Sequence, residues 1–131
     1  MKEPFFLSLD EIIEIHNDQI LRYGGHNGIR DLELLKSSIS MPAAGYIEEY
    51  FHTDVYEMAA AYLYHLILNH PFIDGNKRTG VVSALVFLFL NGIELFADED
   101  KLGNMVISVA EGKIGKSEVA LFFRKNSRAR E

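Results

Sequence analysis

A chain of 131 residues, 48% of them hydrophobic, is long enough to bury one core, and we predict a single domain spanning residues 1–131. Its formal net charge of −6 argues against direct binding to nucleic acid, which requires a broad basic face. The absence of cysteine excludes disulfides, thiol chemistry and Cys-ligated zinc, and it is compatible with a reducing cytoplasm.

The first predicted element is a helix over about 9–23. Ser8, followed three residues later by Glu11, forms a capping-box pattern, and Gly24 is of a type that often ends a helix. The acidic residues of this segment do not fit a signal peptide. His16 lies on the inward face of the helix, where two interpretations stay open: a hydrogen bond within the core, or a contact with a bound nucleotide.

A glycine-rich connector then leads to a second short helix, which has Asp31 as its N-cap and ends before Pro42. Arg30 either forms an ion pair with Asp31 at the helix start or braces the wall of a site, and we favour the ion pair. Residues 42–53 have no helical period and are rich in aromatic side chains, which predicts an exposed flap. Its exposed aromatic residues are Tyr46, Tyr50 and Phe51.

Two longer helices follow, and the second of them is the predicted central helix of the fold. Apolar residues recur on one face over about 54–69, and Pro71 predicts that this third helix ends as His70 is reached. The fourth helix, over about 75–91, is apolar nearly all round, which is typical of a buried helix. The apolar run that begins within it, residues 80–96, is shorter than the ~20 residues of a membrane span, so we expect a soluble, cytoplasmic protein without membrane contact.

The remaining residues predict a brief extended piece near 92–96, two further amphipathic helices and a basic tail. The tail, residues 124–131, contains a serine and several cations, and we expect it to be frayed and solvated. Helical patterns therefore dominate the chain, and the predicted fold class is all-α.

The bridge between the third and fourth helices, "NHPFIDGNKRTG", contains more polar chemistry than a turn needs. First-turn N–H groups have no partner within a helix, and together with the helix dipole they attract anions such as phosphate. Gly75 allows a ligand to approach the backbone closely. Lys77 and Arg78 oppose the dipole by roughly 0.3–1 kcal/mol each unless an anion lies nearby. They are therefore candidate phosphate ligands, with outward pairing to surface carboxylates as the alternative.

Other residues of the bridge each allow two interpretations. Asp74 is either the N-cap of the fourth helix or a ligand of Mg²⁺, which takes one or two carboxylates together with phosphates and water. His70 is either a hydrogen-bonded core histidine or a general base for a hydroxyl group. Asn76 either donates to a phosphate or caps the loop, and Phe72 is expected to fill the core. Together, within nine positions, these residues predict a phosphoryl-transfer site.

The motif "HPFIDGNKR", residues 70–78, resembles the signature of the Fic/Doc superfamily, H-x-F-x-[D/E]-[A/G]-N-x-R. Most Fic enzymes have a second Gly where this chain has Lys77, and Lys is typical of the Doc (death-on-curing) toxin family. The stretches "LDEIIEIHNDQILRYGGHNGIRDLELLKSSI" and "NGIELF" are similar to the corresponding parts of Doc toxins, so the resemblance covers nearly the whole chain. One departure is that "HPF" and "DG" are closer to Fic enzymes than to the Doc pattern H-x-F-x-D-A.

The resemblance implies a compact helical fold with the motif loop between two central helices. It also implies a Doc-type toxin that transfers the γ-phosphate of ATP to a Thr or Ser hydroxyl of a protein, with elongation factor Tu as target and arrested translation as the result. The implied catalytic residues are His70, Asp74, Lys77 and Arg78. Among them His70 would be the general base, and Asp74 would hold Mg²⁺ and orient the nucleophile. Gly75 would shape a cradle in which phosphates are bound by Asn76, Lys77 and Arg78.

Partners and alternatives also follow from the resemblance. The flap lies where relatives dock the target segment, and a Phd-like, partly disordered antitoxin would fold as a helix over the catalytic cleft. Two other functions stay open. One is a Fic-like transfer of AMP or UMP to a protein hydroxyl, and the other is a non-catalytic module that acts by docking alone.

Overall fold

The computed structural model of the chain describes residues 3–44 and 54–130. Within these ranges the polypeptide forms helices joined by short connectors, and two three-residue strands form its sheet. The elements in chain order are α1 (Leu9–Tyr23), α2 (Leu32–Ser40), a short 3₁₀ helix (Met41–Ala43), α3 (Val55–Asn69), α4 (Asn76–Leu90), β1 (Ile93–Leu95), α5 (Glu99–Ala110), α6 (Lys116–Lys125) and β2 (Ser127–Ala129). The predicted all-α class is confirmed, with the small sheet as an addition.

Helix α3 lies at the centre and packs against α4, α6 and α2. The approach between α3 and α4 is close at Gly80, where an added Cβ would lie 3.2 Å from Cγ1 of Ile67 and 3.2 Å from the carbonyl oxygen of Leu63. The middle of α3 is buried on all sides because it contains a run of small and apolar residues, 58–63. The two central helices therefore hold the motif loop between them on a rigid support.

Side-chain caps begin α1 and α2, as the sequence predicts. Ser8 and Glu11 form the complete capping box of α1. Asp31 accepts a hydrogen bond from the N–H of Leu34 (3.0 Å) and caps α2. The prediction that Asp74 caps α4 is wrong, because the N-cap residue is Gly75 in a left-handed conformation. Asp74 lies one residue before the N-cap position of α4. Its carboxylate accepts hydrogen bonds from the N–H groups of His26 and Gly75 instead.

The carboxy-terminal tail is not frayed, which corrects the prediction for residues 124–130. Strand β2 pairs antiparallel with β1, with Arg128 opposite Glu94. These two side chains form an ion pair of 2.9 Å, and Arg130 donates from Nε to the carbonyl oxygen of Phe89 (3.0 Å). The sequence pattern missed the strand because three residues are too few for a period of two, and the paired residues of β1 lie 32 to 36 positions earlier.

Residues 45–53, and with them Tyr46, Tyr50 and Phe51, lie outside the described residues. The flap therefore stays a prediction, except that its first residues form the 3₁₀ helix, in which Pro42 is buried. The single-domain assignment also stays a prediction. Within the described ranges, no helix combines the length and the apolar character needed to cross a membrane.

Candidate active site

His70 occupies the junction between α3 and the motif loop, and its backbone is unusual. It is the C-cap of α3, with φ 46° and ψ 53°, and it is the one non-glycine residue with positive φ in the described ranges. The left-handed conformation costs roughly 1–2 kcal/mol for a residue with a Cβ. His70 is exposed, so the interpretation as a buried core histidine is wrong. The turn of the chain before Pro71 moves the side chain off the apolar face of α3.

The loop is closed from within by the buried side chain of Asn76. Its Oδ1 accepts from the N–H of Phe72 (2.9 Å), and its Nδ2 donates to the carbonyl oxygen of the same residue (3.0 Å). Asn76 therefore caps the loop, as one of its two predicted roles stated, and its side-chain amide is fully engaged there. The ring of Phe72 is 1% exposed, which confirms its predicted place in the core.

His16 supports the loop from the neighbouring helix α1. Its imidazole is stacked on the ring of Phe72, with 3.8 Å between centroids and 5° between planes. Its Nε2 donates to the carbonyl oxygen of Asp74 at 2.7 Å, which places the proton on Nε2. The interpretation of His16 as a buried residue with a core hydrogen bond is confirmed. It holds the backbone of the loop at the residue that bears the candidate metal-binding carboxylate.

The carboxylate of Asp74 is fixed by two backbone donors. Its Oδ2 accepts from the N–H of His26 (3.2 Å), and its Oδ1 accepts from the N–H of Gly75 (2.8 Å). These two hydrogen bonds, first that from His26, lower the pKa of Asp74, and the nearby charge of Arg78 acts in the same direction. Asp74 is therefore ionised at neutral pH, and each oxygen accepts one of these two hydrogen bonds and retains further acceptor capacity.

The start of α4 combines unpaired backbone donors with two cations. The first hydrogen bond within the helix runs from the N–H of Thr79 to the carbonyl oxygen of Gly75 (2.9 Å), so the N–H groups of residues 76–78 have no partner in the helix. Lys77 is exposed. The guanidinium of Arg78 donates from Nη2 to the carbonyl oxygen of Gly24 (3.0 Å) and lies 5.7 Å above the ring of Tyr23. Arg78 is thereby anchored, whereas Lys77 is exposed at the cavity.

One cavity collects the residues that the motif predicts. It has a volume of about 350 Å³ and is lined by His70, Ile73, Asp74, Gly75, Asn76, Lys77 and Arg78. A second, more apolar cavity of about 340 Å³ also contacts Lys77 and Arg78, and it extends between α1, α4 and α5. The structure thus brings together every motif residue that the sequence proposed as catalytic or phosphate-binding. The predicted docking residues of the flap lie outside the described residues.

Arg30 does not form the predicted ion pair with Asp31. Instead, its side chain donates from Nε to the carbonyl oxygen of His70 (2.5 Å) and from Nη2 to that of Asn69 (2.8 Å). The prediction was wrong because Asp31 is already occupied as an N-cap, and the end of α3 presents unpaired carbonyl oxygens nearby. The bracing role, which the sequence left as the weaker alternative, is the one that the structure contains.

The residues around Asp74 fit a Mg²⁺ ion. The described ranges contain no cluster of three or more His, Cys, Asp or Glu side chains able to bind a metal. Mg²⁺, however, is commonly bound by one carboxylate together with substrate phosphates and water. Asp74 supplies one ionised carboxylate with free lone pairs, next to a helix start suited to phosphates. When bound, the ion would neutralise charge on the phosphates.

The fold and this cavity define a helical domain in which α4 begins with unpaired N–H groups, beside a histidine and a carboxylate. The model of the Fic/DOC family matches residues 6–88, and the chain belongs to that family. It is 37% identical over 119 residues to the Protein kinase doc of Escherichia phage P1, covering 91% of this chain and 93% of that protein. It is 38% identical over 80 residues to the Toxin Doc of Mycolicibacterium smegmatis, covering 61% of this chain and 62% of that protein. The predicted resemblance is thereby confirmed.

Proposed function

We propose that this protein is a Doc-type toxin that transfers the γ-phosphate of ATP to a Thr or Ser hydroxyl of a protein. The target we propose is elongation factor Tu, whose modification would arrest translation. The names of the two Doc relatives, a protein kinase and a toxin, support the class of function. The cavity at the start of α4 supports the chemistry, because it combines a candidate base, a carboxylate and anion-binding groups.

In this mechanism His70 accepts the proton of the target hydroxyl as the hydroxyl oxygen forms a bond to the γ-phosphorus. The bond from that phosphorus to the β,γ-bridging oxygen breaks, and ADP leaves. The exposed imidazole of His70 and the cavity beside it permit a protein segment to approach. Arg78 and the first-turn N–H groups of α4 hold the negative charge of the phosphates. Asp74 would hold Mg²⁺ when the ion is bound, and its carboxylate orients the nucleophile.

The observation that supports phosphate rather than nucleotide transfer is the position of Lys77. Its side chain stands exposed in the first turn of α4 and lines both cavities. A lysine here occupies space that the glycine of most Fic enzymes leaves open for terminal phosphates. It also places a mobile point charge beside the phosphate that is transferred. Asn76 contributes its backbone N–H only, since its side-chain amide is bonded to Phe72.

Transfer of AMP or UMP is the second candidate, and Gly75 favours it. The Fic-like Gly has φ 78°, a conformation that the Ala of the usual Doc pattern adopts only with strain. A Cβ added at position 75 would lie 3.2 Å from Cδ1 of Ile20, so the glycine also allows this isoleucine to pack closely against the loop. A non-catalytic docking module is the third possibility. A Phd-like antitoxin that folds over the cleft is a proposed partner of all three.

The test is transfer from ATP labelled at either the α- or the γ-phosphate to purified elongation factor Tu in the presence of Mg²⁺. The proposed kinase labels the factor from γ-labelled ATP only. His70→Ala should reduce the rate by roughly 10²–10⁴-fold, the usual contribution of a general base. Label from α-labelled ATP alone would establish nucleotide transfer instead. Growth arrest that persists in His70→Ala, without any label, would support the docking module.

Lys77→Ala tests the residue on which the choice of group rests. We expect it to lower γ-phosphate transfer, because the cation that stabilises the transferred group is lost. Lys101→Ala is the matched control, since Lys101 is also an exposed lysine in the first turn of a helix, α5. Equal rates for the two variants would remove Lys77 from the mechanism.

A further inference from the structure

Three consecutive carbonyl oxygens, at the end of α3 and just after it, accept hydrogen bonds from Arg30 and Asp31. These two residues end the connector between α1 and α2, residues 24–31. The side chain of Arg30 donates to the carbonyl oxygens of Asn69 and His70. The backbone N–H groups of Arg30 (2.7 Å) and Asp31 (3.0 Å) both donate to the carbonyl oxygen of Pro71. The peptide groups on both sides of the Cα atom of His70 are therefore fixed from the same direction.

The backbone contacts continue along the loop beyond Pro71. The N–H of Ile73 donates to the carbonyl oxygen of Gly28 (3.0 Å), and Ile29 is paired with Phe72 as an isolated antiparallel bridge. This pairing leaves the carbonyl oxygens of Asn69 and His70 beyond its end, and these are the two that the guanidinium of Arg30 binds. The backbone of the connector thus holds residues 71–73 of the loop. The side chain of Arg30 holds the two carbonyl oxygens on either side of the Cα atom of His70.

The imidazole of His70 depends on its backbone for orientation. Within residues 3–44 and 54–130, no side chain or backbone group forms a hydrogen bond with this ring. Its Cα is in the left-handed region, which non-glycine residues rarely occupy without support from the surrounding structure. The direction of the Cα–Cβ bond, and with it the reach of the ring, follows from the two peptide planes that Arg30 holds.

We propose that Arg30 is a positioning residue for the base His70, an inference that rests on the proposed function. Arg30 itself does not line the cavity, so it acts through the histidine and not on the nucleotide. Its planar fork presents two N–H groups in fixed directions to two carbonyl oxygens, which the single ammonium of lysine does not reproduce. Its role differs from simple capping of α3, which would affect stability but not the rate of the chemical step.

The experiment compares Arg30→Gln and Arg30→Lys with wild type in the transfer assay, at equal concentrations of folded protein. A displaced base should lower kcat by about 10–100-fold, since small misplacements of a reacting group cost up to about 10² in rate. The KM for ATP should change by less than about 2-fold. Arg128→Gln is the control, because Arg128 is an exposed arginine with one ion pair in the sheet. It should leave kcat unchanged.

The outcomes separate this inference from the proposed function. A kcat equal to that of wild type in Arg30→Gln would overturn the positioning role while the transfer activity stands, as would full recovery of kcat in Arg30→Lys. A raised KM with unchanged kcat would assign Arg30 to nucleotide binding instead. If wild type labels its target from α-labelled ATP, the same comparison is made with that reaction.

If wild type transfers nothing and the proposed function fails, the inference is still tested by a measurement that needs no substrate. The NMR signals of the His70 imidazole, assigned by their loss in His70→Ala, report the surroundings of the ring directly. Arg30→Gln should shift or broaden these signals, whereas Arg128→Gln should leave them in place. Unchanged imidazole signals in Arg30→Gln would overturn the inference whatever the activity of the protein.

Discussion

At the scale of single residues, Gly25 shows how tightly the carboxylate of Asp74 is surrounded. Gly25 has φ 117°, and an added Cβ would lie 2.6 Å from Oδ2 of Asp74. We predict that Gly25→Ala displaces this carboxylate and lowers the rate of transfer by at least about 10-fold, because the displacement of a positioned group costs rate directly. The measurement is kcat of the transfer reaction together with the melting temperature.

The neighbouring Gly24 offers a matched control for that change. It also has positive φ, 83°, but no atom lies within 4 Å of its added Cβ. Gly24→Ala should therefore show the backbone strain of an alanine in this conformation, about 1–3 kcal/mol, without the displacement of Asp74. Similar activities in the two variants would mean that contact with Gly25 does not determine the position of the carboxylate.

The two N–H groups bound to Asp74 predict a dependence of stability on pH. They lower its pKa in the folded protein below the ordinary value of 3.8, so the ionised carboxylate stabilises the fold fully above that value. The stabilisation is lost as pH falls through the lower folded pKa. We therefore expect the difference in unfolding midpoint between wild type and Asp74→Asn to be constant from pH 7 to 5 and to narrow below 3.8. A difference that grows in acid would contradict this assignment.

At the scale of secondary structure, strand β2 joins the carboxyl end of the chain to the body of the fold. Deleting residues 127–131 removes its backbone bonds to β1 and the bond from Arg130 to Gly92 (2.8 Å). We predict a loss of about 1–3 kcal/mol in the free energy of unfolding, at roughly 0.5–1.5 kcal/mol per hydrogen bond. The measurement is urea denaturation.

The transfer rate should survive this deletion. The sheet lies near the carboxyl end of α4, and the cavity lies at the other end of this 15-residue helix, roughly 22 Å away at 1.5 Å per residue. As a control, Arg128→Ala removes an exposed ion pair and a guanidinium 5.5 Å above the ring of Phe96, and it should cost less than about 1 kcal/mol. If the deletion abolished transfer without unfolding the protein, the tail would have a role in the site.

Local signals explain why most helix boundaries were predictable. Ser8 and Asp31 act within three residues of the N–H groups that they cap, so a sequence pattern is enough to find them. The contacts of Arg30 with His70, and of His26 with Asp74, join positions at least 40 residues apart. Such pairs have no spacing rule in the sequence, and they depend on how the connector packs on the loop.

At the scale of the whole molecule, the same distinction separates what the motif predicts from what only the packing shows. The residues 70–78 are consecutive, so a short loop necessarily gathers them at one cavity. The support of that loop comes instead from α1 and the connector, through His16 and Arg30. The β1–β2 pairing was missed for a related reason: the sequence predicts an extended piece near 92–96, but β2 is too short to be recognised without its partner.

The two central helices, α3 and α4, pack against each other, and substitutions at two helical glycines test how much this packing stabilises the fold. An alanine Cβ at buried Gly80 would lie 3.2 Å from the carbonyl oxygen of Leu63, a backbone atom of α3 that cannot move without its helix. We predict that Gly80→Ala lowers the free energy of unfolding by about 1–3 kcal/mol through overpacking, despite the higher helix propensity of alanine. Gly103 lies in α5 with open space around it, so Gly103→Ala should raise that free energy by about 0.5–1 kcal/mol. Urea denaturation of both variants measures the difference, and a Gly80→Ala protein as stable as the Gly103→Ala protein would show that the two central helices can separate without cost.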